Sequence, residues 1–293
     1  MGRKKLYLVL SEPFQKGQNM KRLLVFAILC FVLHQAQAQD NNYEWQKDIR
    51  YYPASVNQDA YQQGQCRLDV YYPRNKKNAA TIIWFHGGGL KAGKKEIPAA
   101  LMNKGYIIIG VGYRFSPKVK APEYIEDAAA AVAWAFQHVE QYGGDRRKIV
   151  LSGHSAGGYL DLMLALDKKY LQHYDVNADS LLGIVPFSAQ CITHFTVREE
   201  RGTDPLQPVI DSMAPLYHVR KTTPPILLIT GDREKELYGR YEENAYLLRM
   251  LKLTGNTQTQ LYELQGYDHG GMAQPAFPLL LQEVSRVLKQ RRF

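Results

Sequence analysis

The sequence predicts an α/β fold, with helices covering both faces of a mostly parallel sheet. Three observations carry this. Short apolar runs alternate with longer helix-like runs from residue 67 onward. Several of the short runs are continuously apolar, as strands buried on both faces must be. The motifs rich in glycine, serine and histidine each follow such a run, where the carboxyl ends of parallel strands place their loops.

Residues 39–63 are polar and tyrosine-rich and suit an extended arm or an edge hairpin. Arg67–Tyr72 alternates and stops at Pro73, which fits a half-buried strand. Ala80–Phe85 and Tyr106–Val111 fit buried strands. Ala121–Tyr142 predicts a helix, with Pro122, Glu123 and Glu126 at its start and Gly143-Gly144 at its end. Strands are expected at Lys148–Leu151, Leu181–Phe187, Ile226–Thr230 and Thr259–Leu264. Helices are expected at Gly158–Leu166, Tyr241–Leu253 and Pro278–Arg291. Residues 190–223 lack clear periodicity. A break of that length between core strands suits a lid.

The chain has 293 residues, 45% of them hydrophobic, enough for one large domain over 39–293. Residues 1–38 read as a signal peptide. Lys21-Arg22 precedes the apolar run Leu23–Leu33, and Ala36-Gln37-Ala38 suits cleavage. Met20 then serves as the start, with 1–19 an upstream extension. The apolar run is too short for a membrane span, so the mature form is expected to be secreted or periplasmic. Residues 1–38 hold six Lys/Arg and one Glu, which leaves +4 of the chain's net +9 on the remainder. That charge gives no case for nucleic-acid binding. Cys66 and Cys191 remain after cleavage, and export permits them to pair or to stay as buried thiols. Their spacing matches no metal site.

Gly153-His154-Ser155-Ala156-Gly157 sits between an expected strand and an expected helix. A serine hydroxyl becomes a useful nucleophile when a sharp turn exposes it beside a base and backbone donors. Small neighbours permit that turn. His86-Gly87-Gly88-Gly89 follows the Ala80–Phe85 strand. Its side-chain-free amides can face a developing oxyanion together with the Ala156 N–H. Gly88 and Gly89 are the favoured donors, and Gly87 is the alternative. A phosphate cradle would want a Gly-Lys-Ser/Thr ending, which is missing. His86 is expected to brace this loop. Asp268-His269-Gly270-Gly271 follows the last strand, which makes His269 the candidate base. The acid should follow Ile226–Thr230, where Asp232, Glu234 and Glu236 compete. Glu234 is favoured, with Asp232 as the first alternative and Glu236 behind it. Tyr113-Arg114 and Asp127 suggest a structural ion pair between loop and helix.

These motifs, in this order, resemble the α/β-hydrolase family over residues 66–293, and within it the hormone-sensitive-lipase-like and carbohydrate-esterase-like branches. The resemblance implies a nucleophile at Ser155, a base at His269 and oxyanion donors at Gly88, Gly89 and Ala156. It points to Glu234 as the acid, three residues after a glycine, while Asp232 stays open because many members carry Asp. The implied activity is carboxylic-ester hydrolysis through an acyl-enzyme, without metal or organic cofactor. The expected substrate is a small-molecule or oligosaccharide ester, with acetyl or feruloyl esters of carbohydrates favoured. Two rivals are a small-peptide serine peptidase and a non-catalytic binding module. The first generally needs a large second domain on this fold, and the second predicts loss of triad residues.

Overall fold

The computed structural model describes residues 42–53, 55–56 and 59–291. The expected leader, residues 1–38, lies outside them. Eight strands form one sheet: β1 (Tyr43–Arg50), β2 (Arg67–Pro73), β3 (Ala79–Phe85), β4 (Ile107–Val111), β5 (Gly144–His154), β6 (Gly183–Phe187), β7 (Ile226–Gly231) and β8 (Thr259–Leu264). Their order is β1-β2-β4-β3-β5-β6-β7-β8. β3 to β8 are mutually parallel, and β1 and β2 extend one edge antiparallel. The helices are α1 (Ala60–Gln65), α2 (Glu123–His138), α3 (Ala156–Leu166), α4 (Lys169–Gln172), α5 (Phe195–Glu200), α6 (Arg240–Leu253) and α7 (Ala273–Gln290).

The two-residue period of a strand sorts the core onto two faces. Ile83 and Phe85 of β3 pack on one face with the alanine-rich α2 and with α3. Ile82 and Trp84 point to the other face and pack with Phe187, Phe277, Leu280 and Val284, the last three from α7. Every residue of β3 is buried, which explains its unbroken apolar run AATIIWF. Every residue of α3 is buried as well, so this helix has no polar stripe.

Three elements have a boundary more than two residues from expectation. β5 runs for 11 residues, because polar Gly144–Lys148 extends the ladder and Gly144 pairs with Ala79. α7 begins at Ala273 rather than Pro278. Pro275 falls in its first turn, where an N–H has no intrahelical acceptor, and Pro278 is accommodated inside the helix. The expected α2 helix ends at His138 and tightens into a 3-10 turn over Val139–Tyr142, closed by left-handed Gly143.

Residues 190–223 contain α5 and a 3-10 turn at Pro215–His218. This segment is tied to the body of the sheet. Glu243 of α6 accepts from the Cys191 N–H, Thr196 Oγ donates to the Gly89 carbonyl, and Glu200 accepts from the Ala121 N–H. Cys66 and Cys191 are both buried free thiols, so the disulfide that export would permit is not formed. Arg114 and Asp127 form the expected ion pair, with Nε and Nη2 each 2.8 Å from a carboxylate oxygen. No helix among the described residues is long and apolar enough to cross a membrane.

Candidate active site

The parallel ladder sets the site's geometry. Phe85 of β3 is in register with Gly153 of β5, and His154 is in register with Phe187 of β6. The loops that leave these strands, and those that leave β7 and β8, therefore emerge side by side at one end of the sheet.

Ser155 occupies the turn between β5 and α3, with φ 56° and ψ −111°. That conformation costs a non-glycine residue roughly 1–3 kcal/mol. The Ser155 N–H donates to the Phe187 carbonyl at 2.8 Å, and the Ser155 carbonyl accepts from the Tyr159 N–H at 3.0 Å. These bonds fix the backbone so that the side chain projects at the turn's apex. The flanking glycines are required by close approach to β3. A Cβ on Gly157 would lie 2.0 Å from the Phe85 carbonyl oxygen, and one on Gly153 would lie 2.6 Å from the same atom.

His269 follows β8, on a turn in which Asp268 accepts from the Gly271 and Met272 N–H groups. Its Nε2 is 2.9 Å from Ser155 Oγ. Its Nδ1 is 2.8 Å from Glu236 Oε2. An ionised carboxylate can only accept, so Nδ1 carries the proton and Nε2 offers its lone pair to the serine.

The carboxylate beside the imidazole is thus Glu236, and the expectation of Glu234 is corrected. The cause is a helical turn after β7. The Lys235 and Glu236 N–H groups both donate to the Asp232 carbonyl, at 2.8 and 2.9 Å. This turn aims Glu234 at solvent and returns Glu236 over the end of its own strand, where Oε1 accepts from the Gly231 N–H at 2.8 Å. Asp232 stabilises the turn. Its Oδ1 accepts from the Glu234 N–H, and its Oδ2 accepts from the Gly266 N–H.

Burial works against ionisation of Glu236. Hydrogen bonds from His269 and Ser188, the His269 charge and the Gly231 N–H outweigh it and hold the carboxyl at about 2. Ser188, which the sequence did not single out, places Oγ 2.6 Å from Glu236 Oε1 and 2.9 Å from His269 Nδ1.

The glycine loop after β3 lies against the serine turn. A Cβ on Gly87 would sit 3.2 Å from both Nδ1 and the carbonyl oxygen of His154, and 3.5 Å from Ser155 Cβ. Gly88 and Gly89 have φ of 114° and 63°. The Gly88 carbonyl accepts from the Lys91 and Ala92 N–H groups. Among the described residues, the N–H groups of Gly88, Gly89 and Ala156 donate in no turn or loop hydrogen bond. His86 braces this loop as expected. Its ring stacks on Tyr113 at 4.5 Å, its Nδ1 lies 2.6 Å from the Gly87 carbonyl, and burial lowers its pKa.

His154 is a second residue that the sequence did not mark. Its Nε2 donates to the His269 carbonyl at 2.8 Å and so joins the serine turn to the histidine loop. Burial and the neighbouring His269 push its pKa down to about 4, so it stays neutral.

Residues 68–190 match the BD-FAE family model. Esterase LipC of Mycobacterium tuberculosis is 27% identical over 253 residues, covering 75% of this chain and 62% of LipC. The acetyl esterase of Salmonella choleraesuis is 29% identical over 127 residues, or 42% of this chain and 38% of that enzyme. The chain therefore spans less than two thirds of the length of these curated relatives. Among solved structures, a truncated carbohydrate esterase from gut microbiota superposes with a TM-score of 0.66 at 18% identity, covering 84% of this chain and 97% of that one. Thermogutta terrifontis esterase 2, phosphoramylated by tabun, superposes with a TM-score of 0.63 at 22% identity, covering 83% and 93%. The mostly parallel eight-stranded sheet and these superpositions identify the α/β-hydrolase fold, and residues 68–190 are similar to the BD-FAE family model.

Proposed function

We propose that the protein is a serine hydrolase of carboxylic esters, with Ser155 as nucleophile, His269 as base and Glu236 as acid. The observation that carries this is the unbroken hydrogen-bonded chain from Ser155 Oγ through His269 to Glu236, built on a strained serine turn. In the first half-reaction Ser155 Oγ attacks the ester carbonyl while its proton passes to His269 Nε2. The oxyanion is held by amides at Gly88, Gly89 and Ala156. Collapse breaks the ester C–O bond, and the imidazolium returns its proton to the leaving alcohol. A water then attacks the acyl-serine, losing its proton to His269, and the acid departs with Ser155 restored. The Glu236 carboxylate stabilises the imidazolium that forms in both halves.

The favoured substrates are acetyl or feruloyl esters of carbohydrates. The acetyl esterase among the relatives supports the acetyl choice. Export by the leader at 1–38 is part of the same proposal.

The test is labelling by a fluorophosphonate probe, together with a panel of p-nitrophenyl esters of rising chain length and acetylated xylo-oligosaccharides. The wild type should label and hydrolyse the short esters, and Ser155→Ala should do neither while remaining folded. A labelled Ser155→Ala protein would remove the assignment. A rate that peaks on long acyl chains would remove the substrate choice.

A further inference from the structure

Ser188 stands at the first position after β6 with no exposed surface and a φ of 48°. Glycine would adopt that backbone at lower cost, so the hydroxyl must contribute something in return. Its backbone is held on both sides. The Ser188 N–H donates to the Ile229 carbonyl at 2.7 Å, and the Ser188 carbonyl accepts from Nη1 of the fully buried Arg240 at 2.7 Å.

The hydroxyl then meets two partners of opposite need. Glu236 Oε1, at 2.6 Å, can only accept while ionised, so the Ser188 proton points to it. The Ser188 lone pairs are left facing His269 Nδ1 at 2.9 Å, and the Nδ1–H is shared between Ser188 Oγ and Glu236 Oε2 at 2.8 Å. A ring held by one acceptor can pivot about that bond. A ring whose proton sits between two acceptors on different strands' loops has its plane fixed as well.

We propose that Ser188 is a positioning residue of this site. It orients the Glu236 carboxylate and the His269 ring together, so that Nε2 stays aimed at Ser155. The inference rests on the ester-hydrolase reading, because it assigns Ser188 a part in that same reaction.

The experiment compares Ser188→Gly and Ser188→Ala with the wild type. Both variants remove the hydroxyl, and Ser188→Gly also relieves the backbone. Loss of a hydrogen bond to a charged group predicts that kcat on p-nitrophenyl acetate falls about 10- to 100-fold in both, with KM changed less than twofold. Ser188→Gly should melt no lower than the wild type. In both variants the downfield proton resonance of His269 Nδ1–H should move or broaden by exchange. The inference is overturned if kcat stays within twofold, or if that resonance is unmoved. It is overturned too if activity falls only in proportion to lost folded protein. Failure of the hydrolase reading looks different: the wild type itself would neither label at Ser155 nor hydrolyse any ester, while the Nδ1–H resonance would still report on the Ser188 contact.

Discussion

Replacing Glu236 by Gln probes the acid and the tautomer of His269 in one step. Four donors converge on this carboxylate. Oε1 accepts from Ser188 Oγ at 2.6 Å and from the Gly231 N–H at 2.8 Å. Oε2 accepts from His269 Nδ1 at 2.8 Å and from the Leu237 N–H at 3.1 Å. A carboxamide offers an acceptor at one end only. If its oxygen stays with Ser188 and Gly231, its NH₂ faces Nδ1, and the imidazole must move its proton to Nε2. The lone pair that would take the Ser155 proton is then lost. If the amide is turned round, its NH₂ opposes the Gly231 N–H, leaving a buried donor unpaired at a cost of about 1–3 kcal/mol. The first arrangement opposes only the N–H of exposed Leu237, which water can satisfy, so it is the cheaper one and gives the inactive tautomer. A carboxylate-to-amide change in such a triad lowers kcat by about 10⁴-fold, or about 5 kcal/mol at roughly 1.4 kcal/mol per decade. Glu234→Gln, at a solvent-facing side chain, should change kcat by less than about threefold, the range of an ordinary surface substitution. The assay is p-nitrophenyl acetate hydrolysis at neutral pH, with the His269 tautomer read by ¹⁵N NMR. The reasoning fails if Glu236→Gln keeps more than about a tenth of wild-type kcat, or if Glu234→Gln is the variant that loses it.

Other consequences follow from the same contacts. The Glu236 carboxyl lies at about 2 in the fold against an ordinary value of 4.5. Its contribution to stability is complete above pH 4.5 and is lost as pH falls toward 2. Melting temperature should therefore drop more steeply across that window in the wild type than in Glu236→Gln, as read by circular dichroism. Asp161 of α3 is fully buried, neither carboxylate oxygen has a partner, and burial holds its pKa well above 3.8. The fold keeps it protonated while the unfolded chain ionises, so the penalty grows as pH rises above 3.8. Asp161→Asn should raise the melting temperature at neutral pH, with the gain vanishing below pH 3.8; a gain independent of pH would refute this. Ser155→Gly relieves the φ 56° conformation. It should abolish hydrolysis yet raise stability by up to about 1 kcal/mol, or roughly 2–4 °C by calorimetry.

How much of this was legible differs from residue to residue, and the number of competing residues in each loop explains much of the difference. Ser155 and His269 could be named because each follows a strand visible in its composition and has no rival of its own kind in the loop just after that strand. Ile226–Thr230 was equally visible, but the acid follows it on a turn of its own. Three carboxylates in that stretch satisfy the same composition, and only backbone bonding to Asp232 decides which one turns inward. Ser188 was invisible for another reason. It is one small polar residue after a strand, with nothing in its neighbours to distinguish it from a loop serine, and its partners come from 48 and 81 positions away.

The sequence by itself determined the strand and helix alternation, the serine turn and the glycine loop, because each depends on periodicity or on local steric demand within a few residues. Tertiary structure alone decided that Glu236 meets His269, that Ser188 joins them, and that the two thiols stay apart. Those outcomes depend on how loops from separate strands converge, and a linear chain carries no local signal for distances measured across a sheet.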